Sequence, residues 1–306
     1  MSIRKAQAHA IAVLCGGLGG SRCVDALARA AGPEAITAIG NVGDDLEVLG
    51  VHVSPDLDTV LYTLAGLLDE ERGWGVRDES YNALGMARKL GEESWFTLGD
   101  RDIGLHLVRS SQLRAGLPLS AATLRLAGAL DVRVRLLPAT DEPLRTKIQT
   151  KGGELDFQEW FVARAHRDEV TGVRYSGAED ARPAPGVLEA LEAAELVVIA
   201  PSNPFVSIRP ILAVPGISQA LAGKRVAAVS PLVGGKAFRG PLAEMMASLG
   251  HEPSAAGVAA LYGDLLDVFV VARGDGGAPG AVEADIDMVD PDRRADVGRR
   301  LLEALL

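Results

Sequence analysis

The chain has 306 residues, of which 48% are hydrophobic and 24% charged, enough for one large domain or two with ample core. A net charge of −10 argues against a nucleic-acid partner, because a phosphate backbone requires a basic surface, yet it leaves room for a nucleotide in one local pocket. Aromatic residues make up only 4%, so the core is built from Ala, Val and Leu, which suits parallel strands covered by helices.

The N-terminus carries Arg4 and Lys5 ahead of the apolar run Ala10–Leu14. That run is too short to cross a bilayer, and no other stretch reaches spanning length, so a cytoplasmic protein without membrane partners is expected. The run continues to Cys15 and ends in Gly16, Gly17, Leu18, Gly19 and Gly20, after which Ser21–Ala31 has helical periodicity stopped by Gly32-Pro33. Cys15 and Cys23 read as packing residues in a reducing compartment. A second strand, Ala35–Ile39, ends at Gly40-Asn41-Val42-Gly43-Asp44-Asp45, and an apolar helix over Thr59–Leu68 is introduced by Asp56 and Asp58. This order is that of a parallel sheet with right-handed crossovers.

Residues 75–130 differ. Helical patterns over Tyr81–Leu90, Ile103–Ala115 and Ala121–Leu130 read as an inserted helical lid, leaving 1–74 and 131–306 as the α/β core. Strands follow at Val132–Leu137, Thr146–Thr150 and Glu154–Phe157, the last two joined by a Gly152-Gly153 turn. Beyond the Pro-rich link Ala181–Gly186 the alternation resumes. It runs through helix Val187–Ala194, strand Leu196–Ala200, helix Ile208–Leu212, strand Val226–Ser230, helix Pro241–Leu249, strand Val268–Ala272 and helix Arg293–Leu306. The expected fold is therefore a Rossmann-like parallel sheet flanked by helices, with a smaller, mainly helical insertion.

Four loops that follow strands carry chemistry, and in a parallel sheet they converge at one edge. Gly16, Gly17, Gly19 and Gly20 with Ser21 permit close approach of backbone N–H groups to an anion at a helix N-terminus. This is neither a P-loop nor a dinucleotide fingerprint, since Arg22 stands where the third glycine belongs. Asp44 and Asp45, with Asp56 and Asp58 further on, either surround a magnesium ion that bridges phosphates or orient an attacking hydroxyl; caps and turns are the plain structural alternatives. Ser202-Asn203, between two prolines, offers a donor and an acceptor of the kind a base edge requires. Lys236 and Arg239 supply later positive charge. Elsewhere, Arg101 sits between Asp100 and Asp102 as a phosphate or ring-edge ligand, and Asp102 and His106 share a helix face.

Together these segments resemble the 2-phospho-L-lactate transferase family. The resemblance rests on CGGLGGSR at Cys15–Arg22, NVGDD at Asn41–Asp45, PDLDTVLYTL at Pro55–Leu64 and RGWGVRDES at Arg72–Ser80. WFTLGDRD at Trp95–Asp102, LLPATDEPLRTKI at Leu136–Ile148, FQEWFV at Phe157–Val162 and APSNPFVSIRPIL at Ala200–Leu212 extend it over most of the chain. It implies magnesium-dependent transfer of a phospholactyl or phosphoenolpyruvyl group from a guanosine diphosphate donor to a ribityl hydroxyl of the deazaflavin Fo, with release of GMP, in coenzyme F420 biosynthesis. It further implies that the Gly16–Ser21 loop cradles donor phosphates, that Ser202 and Asn203 lie near the guanine, and that Asp45 and Asp58 hold magnesium or orient the hydroxyl. Asp58, Arg101 and Trp74 then face the deazaflavin, and a homodimer is expected. Ser21-Arg22 and Pro138-Ala139-Thr140-Asp141 depart from the commoner family forms; FQEWFV is similar to actinobacterial members associated with the enolpyruvyl donor. Two other readings compete. A non-enzymatic nucleotide-sugar-binding regulator of the same fold is weighed down by PDLDT and LGDRD, and a dinucleotide-dependent redox enzyme by Arg22. The reading carries the expectation that Asp58→Ala abolishes turnover with the fold intact.

Overall fold

The computed structural model of the chain describes residues 10–92, 95–234, 236–237 and 240–306; the reading of residues before Ala10 and the expectation for Arg239 lie outside them. Ile11–Cys15 (β1) is buried at every position and leads through Gly16 into Gly17–Ala31 (α1), which stops at Gly32. Ile36–Gly40 (β2) is followed by a hairpin of Leu46–Val48 (β3) and Val51–Val53 (β4), which the sequence reading did not anticipate, and by Pro55–Leu64 (α2). Helix α2 begins earlier than expected because Pro55 fits the first helical position, where its missing N–H costs nothing. Asp56 and Asp58 consequently lie inside the first turn, where acids interact favourably with the helix dipole.

Three helices follow, Asn82–Lys89 (α3), Asp100–Arg114 (α4) and Leu119–Ala129 (α5). In α5, Leu119, Leu126 and Ala127 join the main core; Val48, Val51, Val53 and Leu98 form a separate cluster beneath α4. Arg135–Pro138 (β5) then returns to the sheet. Arg145–Thr150 (β6), Gly153–Asp156 (β7) and Val170–Ser176 (β8) make a small antiparallel sheet, with a π-helical turn at Glu159–Ala163. Next come Val187–Ala193 (α6), Leu196–Ile199 (β9), a π-helical turn at Pro204–Ile208, Arg209–Leu212 (α7) and Ile217–Ala220 (α8). Val226–Val229 (β10) precedes a short hairpin of Leu232–Val233 (β11) and Lys236–Ala237 (β12), then Leu242–Ser248 (α9) and Ala255–Tyr262 (α10). Val268–Ala272 (β13), Val282–Ala284 (β14) and Arg294–Leu305 (α11) complete the chain.

The main sheet has seven strands in the order β14-β13-β10-β9-β1-β2-β5, every pair parallel. Burial on both faces accounts for unbroken apolar runs such as Leu196–Ile199 and Val226–Val229. From β1 the chain moves outward to β2 and β5; it returns at β9, on the other side of β1, and moves outward the opposite way. The split between β1 and β9 is thus a topological switch point, where loops at the strand ends diverge and leave a crevice.

Helix α11 closes the fold by lying close against α1, where a Cβ at Gly298 would collide with the Ala26 carbonyl oxygen. Gly298→Ala is expected to destabilise by about 1–3 kcal/mol. Gly104→Ala, in α4 with open space around it, is expected to stabilise by about 0.5–1 kcal/mol. Chemical denaturation of both variants checks the contrast.

Candidate active site

The loops at the carboxyl ends of β1, β2, β9 and β10 meet around one cleft of about 850 Å³, with Gly16, Gly17, Gly19, Asp44, Ser202 and Asn203 on its wall. The glycine turn is pressed against the Pro201-Ser202 loop. A Cβ at Gly19 would collide with the Pro201 carbonyl oxygen, and one at Gly20 would meet Ser202 Oγ and Cys15. Ser202 locks the two loops together: its hydroxyl accepts from Gly16 N–H at 3.1 Å and donates to the Gly16 carbonyl at 2.8 Å. Gly20 and Ser21 do not line the cleft. The Ser21 hydroxyl donates to the Leu18 carbonyl and accepts from Thr63 Oγ1, which joins α1 to α2.

Asn41, not singled out from the sequence, organises the acidic side. Its Nδ2 donates to Asp56 Oδ2 at 2.8 Å, Asp44 Oδ1 at 3.2 Å and the Val206 carbonyl at 3.1 Å, while its Oδ1 accepts from Gly43 N–H. Asp56 Oδ1 accepts from Gly17 N–H at 2.7 Å, at a helix start whose φ of +62° suits glycine. A carboxylate therefore occupies the anion position at the N-terminus of α1. Burial raises the Asp56 carboxyl to about 6, against the lowering effect of its Asn41 and Gly17 hydrogen bonds. Burial, and then the charge of Asp56, push Asp44 well above the usual carboxylate range.

Asp45 and Asp58 have other surroundings. Asp45 Oδ2 lies 2.9 Å from Ser54 Oγ and 3.0 Å from His52 Nε2; its Oδ1 is buried with no hydrogen-bond partner among the described residues. Asp45 lines a second cavity of about 400 Å³ with Asp44, Arg145 and Gln158, not the larger cleft. Asp58 does line the larger cleft, but Arg109 grips both its oxygens, and Ser54 N–H donates to Oδ2 at 3.1 Å. The neighbouring relay also went unread in the sequence: Tyr62 donates to Asp102 Oδ1 at 2.5 Å. His106 Nε2 lies 3.1 Å from the same oxygen but off the line of a hydrogen bond, so that nitrogen has no directed partner. Burial, with the charges of Asp58 and Asp102, raises the Tyr62 phenol well above its ordinary value. No group of three or more His, Cys, Asp or Glu side chains is arranged to hold a metal among the described residues.

Asn203 is on the cleft wall, with Oδ1 accepting from Phe205 N–H at 2.9 Å and Nδ2 3.7 Å from Met245 Sδ. Trp74 lines the cleft, is 43% exposed and carries the Arg72 guanidinium 5.1 Å above its ring. Arg101 is exposed outside the cleft, donating to the Arg77 carbonyl at 3.2 Å, and Lys236 is likewise exposed and off the cleft wall. Trp95-to-Asp102 contributes Phe96, Thr97 and Asp102 to the wall instead.

Two outcomes follow from these environments. The folded-state value of Asp56 is raised, so its contribution to stability is full below its unfolded value and is lost as pH rises through about 6. Without divalent cations, the melting temperature of the wild type is expected to fall more between pH 5 and pH 7.5 than that of Asp56→Asn. Equal slopes would contradict the assignment. Asp58→Ala leaves the Arg109 guanidinium buried without its partner, at a cost of about 3–5 kcal/mol. The fold is thus not expected to survive that substitution unchanged, and thermal melts should show the loss before any assay of turnover is read.

The chain has counterparts among known proteins. Residues 11–301 match the family described as 2-phospho-L-lactate transferase CofD. A phosphoenolpyruvate transferase from Streptomyces griseus is 44% identical over 309 residues, spanning 96% of this chain and 97% of that protein. A 2-phospho-L-lactate transferase from Methanosarcina mazei is 38% identical over 258 residues, 84% of this chain and 85% of the other. The X-ray structure of protein BH3568 from Bacillus halodurans superposes with a TM-score of 0.58 at 18% identity, covering 87% of this chain and 80% of that one, a likeness of fold. No helix among the described residues is long and apolar enough to cross a membrane. The chain belongs to the 2-phospho-L-lactate transferase CofD family, and it is an enzyme of the transferase class.

Proposed function

We propose that the chain moves a phosphoenolpyruvyl or 2-phospholactyl group from a guanosine diphosphate-activated donor to the ribityl hydroxyl of the deazaflavin Fo, releasing GMP and giving dehydro-F420-0 or F420-0. The observation that carries this reading is the convergence of the glycine turn, the Asn41–Asp44 loop, α2 and Ser202-Asn203 on one cleft. Similarity to the Streptomyces griseus phosphoenolpyruvate transferase, at 44% identity, favours the enolpyruvyl donor.

In phosphoryl transfer the protein chiefly positions groups and neutralises charge. The ribityl oxygen forms a bond to the phosphorus that bears the three-carbon acid. The bond from that phosphorus to the GMP oxygen breaks, and GMP leaves with the electron pair. In a loose transition state the hydroxyl proton departs late, so orientation of the hydroxyl matters more than the basicity of its acceptor. Asp58 suits that role because Arg109 and Ser54 fix its carboxylate at the cleft wall. The exposed face of Trp74 suits the deazaflavin ring, with the helices of 75–130 as its cover. The backbone N–H groups that follow Gly17 in the first turn of α1 suit the diphosphate, and Asn203 the guanine side.

The magnesium requirement is part of the proposal. Asp45 and Asp58 fit a shared ion poorly, since Arg109 already neutralises Asp58 and Asp45 lines the second cavity. Asp44 and Asp56 fit it better: both are buried on the cleft wall, lack a cationic side-chain partner among the described residues and are held protonated more readily than ordinary carboxyls. When bound, the ion would neutralise the diphosphate. Cytoplasmic location and a homodimer belong to the same reading.

Incubation with Fo, magnesium and each donor, followed by mass spectrometry, tests the reading. GMP release with a faster rate for the enolpyruvyl donor is expected. Absence of GMP release with either donor would favour a nucleotide-binding regulator of the same fold.

A further inference from the structure

The walls of the cleft present a charge problem. Six carboxylates face it, from Asp44, Asp56, Asp58, Glu70, Glu71 and Asp102, and Arg22 is the single Lys or Arg side chain among the described lining residues. Apart from the proposed magnesium ion, an anionic donor entering this space depends on backbone N–H groups and on that one guanidinium. At the start of helix α1, Gly16 N–H is taken by Ser202 and Gly17 N–H by Asp56, which leaves the N–H groups that follow in the first turn for a phosphate. The guanidinium remains for a second anionic group.

Arg22 lies on the cleft wall with its guanidinium anchored at one terminal nitrogen. The residue is 9% exposed, its Nη2 donates to Glu70 Oε2 at 2.8 Å, and its Nε is buried with no hydrogen-bond partner among the described residues. Glu70 is fixed in turn, with Oε1 2.5 Å from Arg294 Nη2. Arg294, itself buried, also binds Asp25 at 3.2 Å and the carbonyls of Met288 at 2.8 Å and Val289 at 3.3 Å. This chain of contacts ties Arg22 through Glu70 to the segment that carries Ile286 and Met288, two buried apolar side chains on the same cleft wall. A guanidinium with terminal N–H groups left over, next to a small apolar surface, matches a short carboxylic acid: those N–H groups take the carboxylate, and the apolar wall takes the carbon skeleton.

We propose that Arg22 receives the carboxylate of the donor's three-carbon acid and, with Ile286 and Met288, makes the enzyme select carboxylated donors. The inference rests on the transferase reading above and extends it to a specificity-determining residue. Arg22→Met leaves Glu70 paired with Arg294, so it removes the guanidinium without stranding a buried acid.

Equilibrium dialysis of three probes tests the assignment without acceptor or turnover: GDP, its lactyl ester, and its isopropyl ester, in which methyl replaces the carboxylate. The wild type is expected to bind the lactyl ester roughly 10- to 100-fold more tightly than the isopropyl ester. Arg22→Met should bring the two esters within about threefold while changing GDP affinity by less than about threefold, and Arg22→Lys should fall between. Unchanged discrimination in both variants would overturn the proposal. So would a loss of GDP affinity as large as that of the lactyl ester, which would assign Arg22 to the diphosphate. Failure of the transferase reading has a separate signature, since it appears as absent GMP release by the wild type with Fo even where the lactyl ester binds selectively.

Discussion

The backbone contact between the glycine turn after β1 and the Pro201-Ser202 loop after β9 is the constraint on which the rest of the site depends. Strands β1 and β9 are neighbours, yet the chain leaves them in opposite directions, so their loops would part and leave backbone groups unpaired. Glycine at 19 and 20 lets the loops touch, and the Ser202 hydroxyl satisfies both polar groups of Gly16. That contact fixes the start of α1, and with it the positions of Gly17 N–H, Asp56 and Arg22. A side chain at Gly19 would separate the loops before it touched any ligand.

Around this junction the protein orders a group of buried acids by giving most of them partners of their own, while Asp44 and Asp56 share Asn41. Asp58 has Arg109, Asp102 has Tyr62, Asp45 has Ser54 and His52, and Asp56 has Asn41 with Gly17 N–H. The consequences differ with the partner. A bidentate guanidinium holds a carboxylate charged and rigid. The amide of Asn41 cannot offset the burial of Asp44 and Asp56, which therefore carry the tension in the site. A divalent cation, as the proposed reaction would use, is complementary to that arrangement and would let the same acid-lined cleft take a diphosphate.

Much of this was legible in the sequence. Strand and helix order followed from apolar runs and periodicity, and the rule that loops at the carboxyl ends of parallel strands converge brings Gly16, the Asp44-Asp45 loop, Ser202 and Asn203 together. What failed was local direction. Asp44 and Asp45 are adjacent, and nothing in a loop says which of two neighbours turns inward; Asp44 faces the large cleft, and Asp45 the second cavity. Asn41, Tyr62, Arg109 and Arg22 act through partners 15 to 51 residues away, pairings that no periodicity encodes. Arg22 was read as a misfit to the dinucleotide pattern and as part of the family's glycine motif, with no ligand role. Strand β8 alternates weakly, and β14 is a three-residue edge strand, so both lacked a sequence signal; α10 had one, in the Ser254 side-chain cap.

Hydrogen exchange followed by mass spectrometry, with and without GDP and magnesium, measures the central claim most directly, because it reports every loop at once. The account calls for concerted protection of peptides covering 16–22, 41–45 and 201–208, three segments remote in sequence, with little change in the outer strands β5 and β14. Protection confined to one of these segments, or appearing at the far edge of the sheet, would show that the loops do not form one nucleotide site.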